Sequence, residues 1–87
     1  MMTRQEILEG LIEILQSTPQ INSKKLTNVT EETDFITDLE APSTELINIV
    51  AKAEDKFDVE FDDDDIDELG SSVKETIDLI EKALKEG

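Results

Sequence analysis

Cysteine and histidine are both absent from this 87-residue chain, tryptophan and tyrosine as well, and the only aromatics are three phenylalanines. Without cysteine there is no disulfide framework, no thiolate nucleophile and no cysteine metal site. Without histidine the usual general base and the common zinc ligand sets are gone too, which leaves carboxylates, hydroxyls and lysines for any chemistry. Catalysis by the chain alone is not expected. No apolar run approaches the ~18 residues of a membrane-spanning helix. Met1-Met2-Thr3-Arg4 opens straight into a charged amphipathic segment, with no signal pattern. The expectation is a soluble, cytoplasmic protein without membrane insertion.

Positive charge is scarce. Eight Lys and Arg stand against 23 Asp and Glu, a formal net charge of −15. Residues 1–33 hold five acids and three bases, residues 34–69 fourteen and two, and residues 70–87 four and three. The acid is thus concentrated in the middle of the chain. Such a field repels nucleic acid and anionic membranes and attracts basic patches on protein partners. A solvated acidic face is the plainer alternative.

What is present is helical periodicity. At this length the chain is expected to be one domain, residues 1–87, with a modest core. Helix formers are common, so an all-α class follows. From Thr3 to Ser17, Ile7, Leu8, Leu11, Ile12 and Leu15 make an apolar stripe, Thr3 with Glu6 fits a capping box, and Thr18-Pro19 is a stop. Gly10 inside this helix costs ~1 kcal/mol relative to alanine, which a close helix crossing would explain. Residues 18–41 form a long connection that must be tied down or contain a helical turn, with Ile21, Leu26, Val29, Phe35, Ile36 and Leu39 as anchors.

A second helix runs to Phe57, its buried face formed by Leu46, Ile49, Val50, Ala53 and Phe57. Pro42 suits its first turn, Ser43 and Thr44 are candidate caps, and Glu45 suits the dipole. Ser43 therefore sits where free N–H groups gather, a place that tolerates a phosphate on its oxygen; a simple N-cap serine is the alternative. Asp62-Asp63-Asp64-Asp65 suggests a calcium loop, but Glu68 stands at the position of the turn glycine and Lys74 at that of the bidentate glutamate, so no metal site is assigned. A short third helix around Asp63 to Glu68, capped by an aspartate, is expected instead. After Gly70, Ser72 with Glu75 matches a capping box, and Val73, Ile77, Ile80 and Leu84, joined by Leu79 and Ala83, define a last helix. The sum is a four-helix bundle of three long helices and one short third helix, with a long loop between the first two.

Asp38-Leu39-Glu40-Ala41-Pro42-Ser43, followed by a helix ending Glu54-Asp55-Lys56-Phe57, resembles the acyl carrier protein pattern D-L-G-A-D-S-L-D, then V-E-L and E-E-x-F. Phe57 to Asp65 is similar to the family's F-G-I-E-I-P-D-E-D, and Ser72 to Ile80 to its T-V-x-D-x-V-x-Y-I. The match covers roughly the last two thirds of the chain. Glu40 replaces a usual glycine, Pro42 the aspartate before the serine and Thr44 the leucine after it, while Asn48 stands where an acid is common and Lys52 and Lys56 add positive charge.

The resemblance implies that Ser43 is the attachment point for 4′-phosphopantetheine, added by a phosphopantetheinyl transferase (holo-acyl-carrier-protein synthase). It implies a non-enzymatic, monomeric carrier of acyl thioesters in fatty-acid or related polyketide, lipid or specialised biosynthesis. Its further partners are then acyl-transferring and chain-extending enzymes with basic docking patches. Recognition is expected along Ser43, Ile47, Ala51, Glu54 and Asp55, with Thr44, Asn48 and Lys52 alongside. Leu46, Ile49, Val50, Ile66, Ile77 and Ile80 could open to shelter an apolar chain, or be plain core. Two alternatives stay open: an aminoacyl or peptidyl carrier, and an unmodified acidic interaction module.

Overall fold

The structure of the protein, a computed structural model, describes residues 2–86. Helices α1 (Arg4–Gln16), α2 (Ser43–Phe57), α3 (Asp63–Asp67) and α4 (Val73–Glu86) follow in order, with a 3-10 turn at Ser23–Leu26. The fold is all-helical, with three long helices and one short one as the periodicity predicts. Strand-like pairing among the described residues is limited to one bridge, between Asp34 and Ser72. Among the described residues no helix is long and apolar enough to cross a membrane.

Helix α1 begins on a complete capping box. The Glu6 N–H donates to Thr3 Oγ1 at 3.2 Å, and the Thr3 N–H donates to Glu6 Oε1 at 2.8 Å, so two of the orphan donors of the first turn are satisfied. The helix packs on both α2 and α4, which also touch each other. Ile7, Leu11, Leu15, Ile49, Ala53, Val73, Ile77 and Ile80 close the centre of a single apolar cluster. Ile14 lies in that core and Ile12 is only half-buried, the reverse of the expected stripe. Ile14 is seven residues from Ile7, close to two full turns, and so shares its face. Leu46 and Leu84 likewise pack at the edge of the core, half-buried.

Gly10 is where α1 crosses α2. A Cβ there would lie 2.6 Å from Phe57 Cζ and 3.0 Å from Phe57 Cε1, with Lys56 Cε at 3.3 Å. Phe57 is buried, so its ring cannot swing clear. Gly10→Ala gains about 1 kcal/mol of helix propensity but overpacks the crossing at a cost of about 1–3 kcal/mol. A net loss of about 1 kcal/mol is expected in urea denaturation; a stabilised variant would show that the two helices separate freely.

The connection between α1 and α2 is tied down along its length. Thr18 is buried and donates from Oγ1 to the Ile14 carbonyl at 2.8 Å, while Asn22 Oδ1 accepts from the Lys24 N–H and caps the 3-10 turn. Farther on, Arg4 reaches out of α1 to Glu31 in the loop and to Asp78 and Glu81 on α4. Backbone bonds from Phe35 N to Ser71 O (2.8 Å), Val73 N to Thr33 O (2.9 Å) and Lys74 N to Glu31 O (3.0 Å) stitch the loop to the start of α4. Ile21, Leu26, Val29, Phe35 and Leu39 are buried anchors as expected, but Ile36 is 39% exposed. The chain turns around Asp34, and Phe35 and Leu39, four residues apart, take the inner side and leave Ile36 outside.

Asp62 occupies the N-cap position of helix α3, yet its side chain makes no capping bond, contrary to the expected aspartate cap. At α4 the Glu75 N–H donates to Ser72 Oγ at 3.1 Å, while the Glu75 carboxylate turns back to the Gly70 N–H at 2.8 Å. Helix α2 ends on Asp58, whose φ of 55° is left-handed, with its N–H bonded to the Glu54 carbonyl. The family pattern has glycine there. A left-handed residue with a Cβ costs about 1–2 kcal/mol, more than the 0.5–1 kcal/mol of extra backbone entropy that glycine loses. Asp58→Gly also removes one charge from the acidic segment, so it is expected to stabilise by about 1 kcal/mol in thermal or urea melts.

Candidate functional site

The site is the turn that leads into α2 together with the outward face of that helix. It is built from Asp34 forward. Asp34 Oδ1 accepts from the N–H groups of Ile36 (2.8 Å) and Thr37 (2.9 Å), and its Oδ2 accepts from Ser71 Oγ at 2.7 Å. The Asp34 N–H donates to Asp38 Oδ2 at 2.8 Å, and its carbonyl accepts from the N–H groups of Asp38 and Leu39. One residue on, the Phe35 carbonyl accepts from the Ala41 N–H at 2.9 Å, and Ala41 is buried. This fixes the chain immediately before Pro42.

Pro42 is the N-cap, with φ −61° and ψ 145°, and Ser43 is the first helical residue. Pro42 was expected inside the first turn and Ser43 or Thr44 as the cap. No side-chain bond caps the helix, since proline has no side-chain acceptor. Ser43 is exposed, and among the described residues the N–H groups of Ser43 and Thr44 meet no backbone acceptor, the first turn being closed by Glu45 N to Pro42 O at 2.9 Å. A hydroxyl therefore stands beside free N–H donors at the positive end of a fifteen-residue helix. Such a position suits an anionic substituent on the serine oxygen.

Glu40, at the family's other glycine position, also has a left-handed φ of 55°. Its carboxylate pairs with Lys25 from the 3-10 turn, which holds its pKa below the usual range. Down the outer face of α2, Thr44, Ile47, Asn48, Ala51 and Asp55 are exposed with Ser43, Ile47 to 68%. Glu54 stands apart. It is half-buried, and its Oε2 accepts from the Phe61 N–H at 2.9 Å, tying the helix end to the following segment. Lys52 turns inward to Thr18 Oγ1 at 3.3 Å. Ile49, Val50, Ile77 and Ile80 are buried in the core, with Leu46 and Ile66 at its edge.

Two features were not foreseen. Asp34 is the hub of the loop, signalled only by an Asp two and three residues ahead of the N–H groups it accepts, the mark of an Asx turn. Glu45, expected merely to complement the dipole, is buried at 6% exposure. An open, acidic groove lies between the ends of α2 and α4, walled by Glu54, Asp55, Asp58, Glu60 and Glu86 over Val59, Phe61 and Ala83. Among the described residues no group of side chains has the arrangement of a metal site.

The Asp34 carboxyl is held below its ordinary pKa, first by the Thr37 N–H, then by the Ser71 hydroxyl and the Ile36 N–H. A depressed folded value means the unfolded chain binds the proton more tightly, so this stabilisation is complete above the ordinary carboxylate range and is lost as pH falls through the folded value. The melting-temperature gap between the wild type and Asp34→Ala is accordingly expected to be full at neutral pH and to shrink steadily below about pH 4. Comparing the two proteins at each pH cancels the general charge repulsion; a constant gap would contradict the assignment.

Fold and site together define a small helical bundle that offers one serine at the head of an exposed helix face. No family model matches the chain. It is similar to the acyl carrier protein of Thermobifida fusca (36% identical over 80 residues, 92% of this chain and 96% of that one) and to that of Micrococcus luteus (34% over 83 residues, 95% and 98%). It is also similar to the meromycolate extension acyl carrier protein of Mycolicibacterium smegmatis (34% over 64 residues, 74% and 62%). The chain belongs to the acyl carrier protein family.

Proposed function

We propose that the chain, residues 1–87 acting as one cytoplasmic domain, is a non-catalytic acyl carrier whose Ser43 receives 4′-phosphopantetheine from a separate phosphopantetheinyl transferase. The observation that carries this is the exposed Ser43 hydroxyl at the first helical position, free of any capping bond and beside the unpaired N–H groups of Ser43 and Thr44. These groups fit a phosphodiester, because they supply donors and a positive dipole end without a counter-cation. The group, once attached, supplies the thiol that this cysteine-free chain lacks and on which an acyl group is held as a thioester. The chain's own residues do the rest: Ser43 provides the oxygen, the Asp34 turn holds it outward, and Ile47 with Thr44, Asn48, Ala51 and Asp55 provides the surface that enzymes read, while Glu54 fixes the end of that helix through the Phe61 N–H.

The base that takes the serine proton belongs to the transferase. The acidic middle segment steers enzymes with basic patches toward this face and disfavours nucleic acid. The pathway is fatty-acid biosynthesis or a related specialised one. The test is the intact mass of the protein after incubation with coenzyme A, magnesium and a broad-specificity transferase. One added phosphopantetheine is expected on the wild type and none on Ser43→Ala. No gain with several transferases would favour the unmodified interaction module.

A further inference from the structure

We infer that the Asp34 carboxylate, through its bond to Ser71, positions Ser43 for transfer, so that the start of α4 sets how the serine is offered; this rests on the carrier function proposed for Ser43. Four observations bear on it. The carboxylate joins two parts of the chain 37 residues apart, taking the Ser71 hydroxyl on one oxygen and two loop N–H groups on the other. The segment it organises runs without a break to the serine, because the Asp34 and Phe35 carbonyls receive the N–H groups of Asp38, Leu39 and Ala41. Ala41 is buried, so the chain is pinned two residues before Ser43. The serine itself makes no capping bond, and nothing on its own side chain holds the turn.

Helix α2 extends from Ser43 onward, whereas everything before Pro42 is loop whose conformation depends on these bonds. If the Asp34 junction is broken, the turn samples other arrangements and only a fraction of molecules presents the serine correctly. A partner that accepts only the correct arrangement then sees an apparent affinity lowered by that fraction, while the saturated rate is unchanged. Asp34 acts through the backbone that bears Ser43, which makes it a positioning residue.

The experiment measures transfer from coenzyme A by a broad-specificity phosphopantetheinyl transferase at varied concentrations of the full chain, together with amide hydrogen exchange. Asp34→Ala is expected to raise KM about tenfold with kcat within about twofold. Ser71→Ala, which removes one bond, is expected to raise KM about threefold. Asp34→Asn can still accept from the loop N–H groups and meet Ser71, and is expected to restore most of the wild-type KM. Exchange at the Ala41 N–H should quicken by at least those factors, since the open fraction grows faster than the competent fraction shrinks, while that of Leu11 in α1 is unaltered.

If Asp34→Ala is unfolded by circular dichroism, Ser71→Ala decides alone. Modification of the wild type with unchanged KM in the folded variants overturns the positioning role and leaves the carrier function standing. Failure to modify the wild type removes the carrier function, and with it the positioning role, even if the Ala41 exchange still follows Asp34. A fall in kcat with KM unchanged would also overturn the inference.

Discussion

Phe35→Ala is expected to destabilise the protein by about 3–5 kcal/mol. Phe35 is 2% exposed and is the largest side chain in the fully buried set. Truncation loses the transfer energy of the ring and leaves a cavity that the neighbouring side chains fill only in part. In most proteins of this size that amounts to a large share of the whole stability, since ~5–15 kcal/mol is typical. The backbone bonds of Phe35 to Ser71 and Ala41 survive the substitution formally, but without the ring the loop has lost its deepest anchor. Urea denaturation monitored by circular dichroism measures the loss. A cost under about 1 kcal/mol would mean that the connection between α1 and α2 rests on its hydrogen bonds and its other buried anchors, Ile21, Leu26, Val29 and Leu39, rather than on Phe35.

Ile47→Ala is expected to do the opposite: little to stability and much to function. At 68% exposure the side chain contributes almost nothing to the core, so the melting temperature should hold within about 1 °C. Across an interface, an apolar side chain at the centre of the contact commonly accounts for about 2 kcal/mol, which corresponds to about a thirtyfold fall in kcat/KM for a partner enzyme. Ser43 lies one helical turn away, so a partner that reaches the serine oxygen passes over Ile47. Transferase kinetics on the wild type and the variant make the comparison. An unchanged kcat/KM would place recognition away from this face, and the acidic segment after α2 would then be substituted next.

The parts of the fold that could be read from the chain are those in which cause and effect are a few residues apart. Thr3 and Glu6 form the capping box that their spacing implies, and the stripes of α1, α2 and α4 face the core as a 3.6-residue period requires, apart from Ile12, whose place in the core Ile14 takes. The explanation for Gly10 was also within reach, since a glycine in a helix interior invites a close neighbour, though only the structure identifies it as Phe57. Ser43 was legible as a position and a residue type, and the resemblance pointed to its role.

The rest depends on long-range pairing or on backbone shape. Asp34 meets Ser71 across 37 residues and Arg4 meets Glu31 across 27, distances at which no local pattern operates. Glu40 and Asp58 adopt left-handed backbone without a glycine to announce it. Glu54 sits in the right register to be an outward group, yet the chain beyond Phe57 folds back so that the Phe61 N–H captures its carboxylate. The apolar character of Ile36 suggests an anchor, but its exposure follows from the turn at Asp34, which hydropathy does not encode.

Helix α3 holds a different lesson. It has five residues, none of them fully buried; Ile66 packs only at the edge of the core, and the ion pair between Asp65 and Lys82 at 3.2 Å is an exposed bond that salt weakens. The bundle therefore has a seam of low cooperativity: residues 62–69 should unfold locally long before α1, α2 and α4 do, and a protease added to the native protein would make its first cut there while the serine-bearing helix remains intact.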